Sequence, residues 1–361
     1  MTTIGSARCV QEESSHEPDD RSAAGDPMIK RLAFLAVLFV VLAASAAPLE
    51  KKSVKIAVGG KTLFYYLPLT LAERLGYFKD EGLEVEIVDF AGGAKSLQAL
   101  IGGSADFVSG AFEHTINMHA RGIPAVGIAL QSRYASIALG LPKAKAAGYT
   151  SPKDLKGLKI GVTAPGSSTN FFVNALLARE GLKPDEVAII GVGASSGAVA
   201  AMKKGEIDAI SNLDPVITKL ERDGDIAVVA DTRTAEGMKK YYGGDYAASC
   251  IYSTKEFIDK NPGTVQAVAR AMVRALQFAN KSSVDEILAV VPTEYSAGDK
   301  DTYKAALAKS MEGYSPDGRF SLEGAQNVYK VLKLFEPSVM SSSVDVSKTF
   351  DNRFVDAAAK R

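Results

Sequence analysis

Short apolar runs alternate with longer amphipathic segments through most of the sequence. Residues 54–58 and 158–162 are apolar runs typical of buried strands, and each is followed by a loop of small residues and then a helical pattern. The order strand, loop, helix, strand, loop, helix, strand occurs twice along the chain. Because such alternation builds parallel sheets with right-handed crossovers, the pattern predicts an α/β fold.

The two copies of this pattern also share residues. Residues 85–110 align without gaps to residues 187–212, and we interpret the match as an internal duplication that produces two similar lobes. The identical pairs are Val85 and Val187, Ile87 and Ile189, Ala99 and Ala201, Gly103 and Gly205, Asp106 and Asp208, and Ser109 and Ser211.

Two of these pairs predict turns. Gly103 and Gly205 follow short helical patterns, where a C-terminal glycine releases the chain. Asp106 and Asp208 each precede a short apolar strand. We expect the two aspartates to fix a turn by accepting hydrogen bonds from backbone amides, rather than to contact a ligand.

The pattern from Lys255 onward is helical. Asn261 precedes Pro262, which predicts a capping side chain followed by a proline in the first turn of a helix. An apolar face with helical spacing follows, and we expect it to belong to the core: Val265, Val268, Ala269, Met272, Val273 and Leu276.

The N-terminal region has the three parts of a secretory signal peptide. A short basic start at residues 28–31 precedes an unbroken apolar run at residues 32–44, and small residues follow at 44–46. The apolar run is shorter than the about 20 residues that a membrane span needs, so residues 28–46 are expected to be removed. Residues 1–27 are expected to be either disordered or the product of an over-called start.

Composition and cysteine usage agree with an exported globular protein. A chain of 361 residues with 47% hydrophobic and 23% charged residues predicts two domains, each with its own core. The formal net charge is zero, which gives no electrostatic reason to expect a nucleic-acid partner. Cleavage would leave Cys250 without Cys9, so no internal disulfide is expected. No cysteine follows the apolar run, and we therefore predict a periplasmic protein without a lipid anchor.

Four short motifs lie in order along the chain. They are YLPL at residues 66–69, AERLGYF at 72–78, SPKDLKGLKIGV at 151–162 and GEIDA at 205–209. Together they resemble the nitrate/sulfonate/taurine class of ABC-transporter substrate-binding proteins. The resemblance covers nearly all of the expected mature chain. It implies a type II periplasmic-binding fold, in which two similar Rossmann-like α/β lobes are joined by two hinge crossings and enclose a ligand cleft.

The resemblance also implies where the lobes begin and end. The crossings are expected near residues 136–141 and 247–252. The first lobe would contain residues 50–138 and 250–361, and the second lobe would contain residues 141–246.

Ligands in open α/β sheets bind beyond the carboxyl ends of the strands. The loops at those positions are rich in glycine, which lets a ligand approach the backbone, and they lead into helices whose N-terminal amides attract anions. We therefore predict an anion-binding cleft without metal or cofactor, with a gap for the ligand between Gly93 and Ser167. The candidate ligand-binding residues are Lys61, Thr62, Phe64, Tyr65, Gly92, Gly93, Ala94, Gly110, Ala111 and His114 of the first lobe, and Gly166, Ser167, Ser168, Thr169, Asn212 and Asp214 of the second.

Several candidates have a structural alternative. Ser167, Ser168 and Thr169 either contact the ligand or only cap a helix. Asp214 either accepts a hydrogen bond from an amine, as on taurine, or caps the helix that follows it. For His114, a hydrogen-bonded structural role is favoured over that of a base.

Spacing argues against other kinds of site. Residues 191–197 are glycine-rich and follow a strand, but the third glycine falls one residue late for a dinucleotide fingerprint. His114 and His119 are not spaced as a helical metal-binding pair. The sequence contains no P-loop and no nucleophile elbow.

The resemblance implies a periplasmic substrate-binding protein that captures a small anionic or zwitterionic organic solute, such as a sulfonate, taurine or nitrate, by hinge closure. Its partners would be an inner-membrane ABC permease and a cytosolic ATPase, and we expect a monomer without enzymatic activity. An aromatic carboxylate or a pyrimidine vitamin precursor is the alternative solute, and a periplasmic sensor or an enzyme is the alternative function. The aromatic alternative depends on the side chains near the predicted loops: Phe64, Tyr65, Tyr66, Phe112, Phe171 and Phe172.

Overall fold

The computed structural model describes residues 49–296 and 298–359. The predicted extension (1–27) and signal peptide (28–46) lie outside the described residues. The strands in the described part are β1 (Ser53–Val58), β2 (Glu84–Asp89), β3 (Phe107–Ala111), β4 (Ala125–Leu130), β5 (Ile137–Pro142), β6 (Lys159–Val162), β7 (Ala188–Gly191), β8 (Ala209–Leu213), β9 (Ile226–Asp231) and β10 (Ser249–Thr254).

These strands form two five-stranded sheets with matching order. The first sheet runs β2-β1-β3-β10-β4 and the second runs β7-β6-β8-β5-β9. Residues 85–110 and 187–212 therefore lie in different sheets at equivalent places, which confirms the prediction of two similar α/β lobes. The sheets are mixed rather than wholly parallel, because β10 and β5 run antiparallel to both of their neighbours.

The chain passes between the sheets twice. It leaves the first sheet after β4 and enters the second at β5, so this passage occupies residues 131–136. It returns to the first sheet between the end of β9 and the start of β10. The first passage thus comes slightly earlier than predicted, since residues 137–142 already pair within the second sheet. The lobe boundaries themselves remain a prediction.

The duplicated aspartates accept hydrogen bonds from backbone amides, as predicted, but these bonds join neighbouring strands and do not fix a turn. The Asp106 carboxylate accepts a hydrogen bond from the backbone N–H of Lys55 at 3.0 Å. Asp208 accepts the equivalent bond from the N–H of Lys159, also at 3.0 Å. Each acid therefore joins the start of its own strand to the start of the neighbouring strand.

Helices cover both sheets. They are Leu67–Arg74, Tyr77–Asp80, Gly93–Ile101, Glu113–Ala120, Lys143–Ala146, Ser168–Arg179, Ser196–Lys203, Val216–Arg222, Ala235–Tyr242, Lys255–Lys260, Pro262–Lys281, Val284–Val290, Lys300–Ser310, Leu322–Leu332, Pro337–Met340 and Arg353–Ala358.

The longest of these helices, Pro262–Lys281, buries the apolar face that its spacing predicts. Its cap differs from the prediction. The side chain of Asn261 makes no capping bond, and the carboxylate of Glu50 instead accepts hydrogen bonds from the N–H groups of Gly263 and Thr264 at 3.1 and 2.9 Å. A residue more than two hundred positions away thus supplies the cap that the local sequence predicts.

Candidate ligand-binding site

The loop edges of the two sheets face each other and are in direct contact. The N–H of Ala94 donates to the hydroxyl of Ser167 at 3.0 Å. Nearby, His114 Nε2 lies 3.2 Å from the carbonyl oxygen of Gly166. A Cβ atom placed on Gly93 would lie only 3.8 Å from Ser167 Oγ. The predicted gap between Gly93 and Ser167 is therefore wrong for this structure, because the two lobes touch at this point.

Small residues allow this close approach. A Cβ atom on Gly60 would lie 2.5 Å from the Cβ of Ala194, and one on Gly92 would lie 2.8 Å from the Cβ of Ala164. Cβ atoms never pack at such distances without movement of a neighbour. The sequence predicts that Gly92 lets a ligand approach the backbone, whereas in this structure it lets the opposite lobe approach.

His114 is a buried, neutral bridge between the lobes. A carbonyl oxygen can only accept, so Nε2 must carry the proton that is donated to Gly166. Nδ1 is then the acceptor for the hydroxyl of Tyr252, 3.2 Å away. Burial lowers the pKa of His114 to about 4. The favoured structural role of His114 is confirmed by these two hydrogen bonds.

The hydroxyl groups of the second lobe are engaged, but differently from the predicted caps. Ser167 precedes the helix Ser168–Arg179 without capping it, and its hydroxyl accepts instead from Ala94 across the lobes. Thr169 Oγ1 accepts from the N–H of Thr163 at 3.1 Å. Ser168 is buried in the first turn of the helix.

Asp214 belongs to a buried ion network that the sequence did not reveal. Its Oδ1 accepts from the N–H of Thr218 at 2.8 Å, in the first turn of the helix that follows. Arg233 lies 3.3 Å from Asp214 Oδ2 and also pairs with Glu221 and Asp231 at 2.9 and 2.7 Å. Burial raises the pKa of Asp214, and the charge of Arg233 opposes that rise. Both oxygens of Asp214 therefore have partners inside the second lobe, as the capping alternative requires.

Three further candidates lie inside strands and face protein. Asn212, in β8, donates its side-chain amide to the carbonyl of Gly193 at 3.0 Å. Gly110, in β3, accommodates the Tyr252 ring, because a Cβ at this position would lie 2.9 Å from a ring carbon. Ala111 is buried at the end of β3.

Residues after β1 have two kinds of surroundings: Lys61 and Phe64 contact other side chains, and Thr62 lines a cavity. Lys61 pairs with Glu73 at 2.8 Å, and the Phe64 ring packs edge-on against Tyr303 with centroids 4.6 Å apart. Thr62 lines a cavity of about 410 Å³. Other residues that line this cavity include Ser195, Ser196, Lys203, Lys219, Glu294 and Asp299.

The two lysines of this cavity do not make it a cationic site. Lys203 pairs with Asp223 at 2.6 Å and with Asp225 at 3.2 Å. Lys219 pairs with Asp223 and Asp299 at 2.8 and 3.2 Å. Because each ammonium group has two carboxylate partners, the cavity offers no uncompensated positive charge from these side chains.

A buried carboxyl group that sequence reasoning missed lies beside His114. Glu113 is 1% exposed, and its Oε1 accepts from the hydroxyl of Tyr246 at 3.1 Å. No donor from the described residues reaches Glu113 Oε2, and the buried hydroxyl of Tyr65 likewise has no partner there. Burial raises the pKa of Glu113 to about 7. The sequence contained one signal, an acid directly after the end of a predicted strand.

The described residues contain neither a metal-binding cluster nor a membrane-spanning helix. In that part of the chain, no group of three or more histidine, cysteine, aspartate or glutamate side chains is arranged to hold a metal ion. No helix within the same part has the length and apolar character required to cross a membrane.

A family model described as NMT1/THI5 like matches residues 64–283, which is more than half of the chain. The chain belongs to the NMT1/THI5-like family. The match includes most strands of both sheets and covers the candidate residues except Lys61 and Thr62, which lie in the loop before it begins.

Solved structures share this fold. A structure from Bordetella bronchiseptica RB50 is 52% identical, with a TM-score of 0.84, and the match covers 87% of this chain and 98% of that one. The alkanesulfonate-binding protein SsuA from Xanthomonas axonopodis pv. citri, bound to MOPS, is 18% identical with a TM-score of 0.66, and the match covers 84% and 100% of the two chains. The latter shows the periplasmic-binding-protein fold predicted from the sequence.

A curated relative carries the name of an enzyme. The 4-amino-5-hydroxymethyl-2-methylpyrimidine phosphate synthase THI13 from Saccharomyces cerevisiae is 25% identical over 221 residues. The match covers 59% of this chain and 63% of the yeast protein. This chain therefore corresponds to somewhat less than two thirds of the synthase's length.

Proposed function

We propose that this protein is a periplasmic solute-binding protein of an ABC importer, which closes its two lobes around a small molecule. The observation that carries the proposal is the direct bonding between the two loop edges, through Ala94 with Ser167 and His114 with Gly166. Such bonds between lobes joined by only two passages are expected of the closed state of a hinged binding protein.

The hinge mechanism follows from where the bonds lie. Ala94 and His114 belong to elements of the first sheet, and Ser167 and Gly166 belong to elements of the second. Separation of the lobes breaks these bonds without disturbing either sheet. A solute that contacts both lobes then favours the closed state by its difference in affinity for the two states.

The predicted signal peptide at residues 28–46 supports export to the periplasm. In the proposed role the closed form would be recognised by a membrane permease with a cytosolic ATPase, and the protein would act as a monomer without a cofactor. The periplasmic-binding fold of the neighbouring structures supports this reading. An enzyme is the competing function, because a relative at 25% identity is named a synthase.

The side chains at the lobe interface offer little positive charge to bind the anionic solute that the sequence predicts. Lys61 is paired with Glu73, and His114 is neutral because burial lowers its pKa to about 4. Glu113, a buried acid at this interface, takes part in no salt bridge within the described residues.

A closed-state lock tests the proposal. The substitutions A94C and S167C would place a disulfide where the two lobes now share a hydrogen bond. We expect the oxidised protein to stop exchanging solute with the medium and the reduced protein to recover that exchange. Small-angle scattering of the unlocked protein should show a smaller radius of gyration when solute saturates it. An unchanged radius at saturation, or turnover of the solute, would contradict a binding protein that works by closure.

A further inference from the structure

A cluster of buried polar groups lies between the lobes and is only partly satisfied. We call Tyr65, Glu113 and Tyr246 the Glu113 cluster. One hydrogen bond joins members of the cluster, from the Tyr246 hydroxyl to Glu113 Oε1 at 3.1 Å. Glu113 Oε2 and the Tyr65 hydroxyl are buried and have no hydrogen-bond partner among the described residues.

Two unsatisfied polar groups beside each other, Glu113 Oε2 and the Tyr65 hydroxyl, call for an explanation. Burying a polar group without a partner costs about 1–3 kcal/mol, and more when the group is charged. Native interiors contain few such groups, and those present often mark a functional site or the position of a bound water or ion. Glu113 also takes part in no salt bridge among residues 49–296 and 298–359, and the buried guanidinium of Arg233 is bonded instead to Asp214, Glu221 and Asp231.

Aromatic rings of the second lobe lie beside this cluster, on the side of Tyr246. Tyr242 ends the helix Ala235–Tyr242 that follows β9 of the second sheet. Its ring stacks on Tyr246, with centroids 4.3 Å apart and planes inclined by 24°. The Phe172 ring of the second lobe lies 5.9 Å from Tyr242. Flat apolar faces beside a free carboxyl oxygen suit a flat solute that carries N–H groups at its edge.

We infer that Glu113 is the specificity-determining acid of the solute site, and that its Oε2 accepts a hydrogen bond from an N–H group of a planar solute that is neutral or cationic. Anions are excluded because no cation in the described part of the chain forms a salt bridge with the carboxyl group. This inference rests on the proposed function and names the class of solute that the lobes enclose.

The exclusion of anions follows from electrostatics in a water-poor site. A carboxylate-bearing solute next to ionised Glu113 would place two like charges together, and burial weakens the screening that would moderate their repulsion. An amidine presents N–H donors in the plane of its ring and carries the opposite charge. It can bond to Oε2 and, through its remaining donor, to the Tyr65 oxygen.

Two probes of nearly the same shape separate these possibilities. Benzamidine is a planar cation with N–H donors, and benzoate is a planar anion without them. Binding of each would be measured by calorimetry with the purified protein at pH 8, where Glu113 is ionised. We expect benzamidine to bind and benzoate to bind at least tenfold more weakly.

The variant E113Q keeps the shape of the side chain and removes its charge. We expect it to weaken benzamidine binding at least tenfold and to narrow the difference between the two probes. The control is E312Q, because Glu312 also accepts a hydrogen bond from a tyrosine, Tyr134, at 2.9 Å but does so at an exposed position. E312Q should change the affinity for benzamidine by less than twofold.

Several results would overturn the inference. Benzoate binding as tightly as benzamidine would do so, as would equal benzamidine affinity in E113Q and the unmodified protein, or binding of neither probe. If E113Q does not fold, the affinities of the unmodified protein for the two probes still decide whether the inference holds.

Closure is measured separately by scattering. An anion that compacts the protein refutes this solute class and leaves the proposed function intact, whereas benzamidine binding without compaction refutes closure alone.

Discussion

A buried acid lies just beyond each of the equivalent strands β3 and β8, and the two acids have different surroundings. Asp214 follows β8 and is held by the N–H of Thr218 and by Arg233. Glu113 lies two residues beyond β3; its Oε1 accepts from the hydroxyl of Tyr246, and its Oε2 has no partner among the described residues. Of these two acids, Asp214 has partners for both oxygens within its own lobe, whereas Glu113 has one oxygen without a partner among the described residues. The comparison shows that the two copies share their strand order. The residues that pack against each strand end from elsewhere in the chain determine whether an acid there is fully hydrogen-bonded.

The strongest test of this comparison removes the cation of the second lobe. The variant R233M would leave Asp214 buried beside Glu221 and Asp231 without its positive partner. We expect a loss of about 3–5 kcal/mol in the free energy of unfolding, because an unpaired buried charge is left behind. Denaturant unfolding measures the loss. R353M is the control, since Arg353 pairs with Asp351 at the surface and its side chain is 84% exposed; equal stability losses in the two variants would show that the network is not special.

The pH dependence of stability tests the first lobe. Burial raises the pKa of Glu113 from 4.5 to about 7, so the folded state holds a proton that the unfolded state releases earlier. The contribution of Glu113 is therefore most favourable below about pH 4.5, falls as the pH rises to about 7, and is constant above that. The total change is at most about 3 kcal/mol.

Subtraction of the E113Q stability profile from that of the unmodified protein isolates this change. A flat difference between pH 4.5 and 8 would mean that Glu113 is not desolvated. His114 adds its own pH dependence between about pH 4 and 6.5, because burial lowers its pKa from 6.5 to about 4, and the subtraction removes this contribution since both proteins contain His114. Burial also raises the pKa of the neighbouring phenols and thiol, which keeps them protonated in this range: Tyr65, Tyr66, Tyr242, Tyr246, Cys250 and Tyr252.

Addition of a single methyl group at Gly92 tests whether contact between the lobes is needed for closure. Gly92 has an extended backbone, with φ of −175°, so alanine is not strained there within its own lobe. Its Cβ would nevertheless lie 2.8 Å from Ala164 Cβ of the opposite lobe. We expect G92A to enlarge the radius of gyration and to weaken solute binding by about tenfold, with little change in the free energy of unfolding. G148A is the control, because its nearest contact would be an ordinary 3.7 Å from the carbonyl of Lys145; a G92A protein as compact as the control would argue against closure at this contact.

The smallest expected effect concerns the duplicated aspartates. D106A and D208A each remove a hydrogen bond to the N–H of a neighbouring strand, Lys55 or Lys159. We expect each variant to lose about 1 kcal/mol and the double variant to lose the sum, since the two sites are independent. Thermal or denaturant unfolding of the three variants checks this. A loss of stability in only one of the two single variants would show that the equivalent hydrogen bonds no longer contribute equally in the two copies.

Much of the frame was predictable from the chain alone. The spacing of apolar runs indicated the strands, and the match of residues 85–110 to 187–212 indicated two lobes, because strand and helix periodicity is a local property. The repeat also indicated that Asp106 and Asp208 have a structural role, although each acid bonds a neighbouring strand about fifty residues away and not a local turn. The glycines of the predicted cleft loops and His114 were named from local patterns, which did not predict their contacts.

Tertiary structure alone decided the partners. Tyr246 reaches Glu113 across 133 positions of sequence, and Glu50 caps a helix that begins more than two hundred residues later. Whether Ser167 caps its own helix or bonds Ala94 depends on how closely the lobes approach, which no local pattern encodes. Periodicity reports which side of an element is buried, whereas the satisfaction of a buried polar atom depends on the few residues that the complete fold brings within hydrogen-bond distance of it. For that reason the sequence determined the two-lobed frame of this protein, and the fold decided that Asp214 is neutralised and Glu113 is left with a free oxygen.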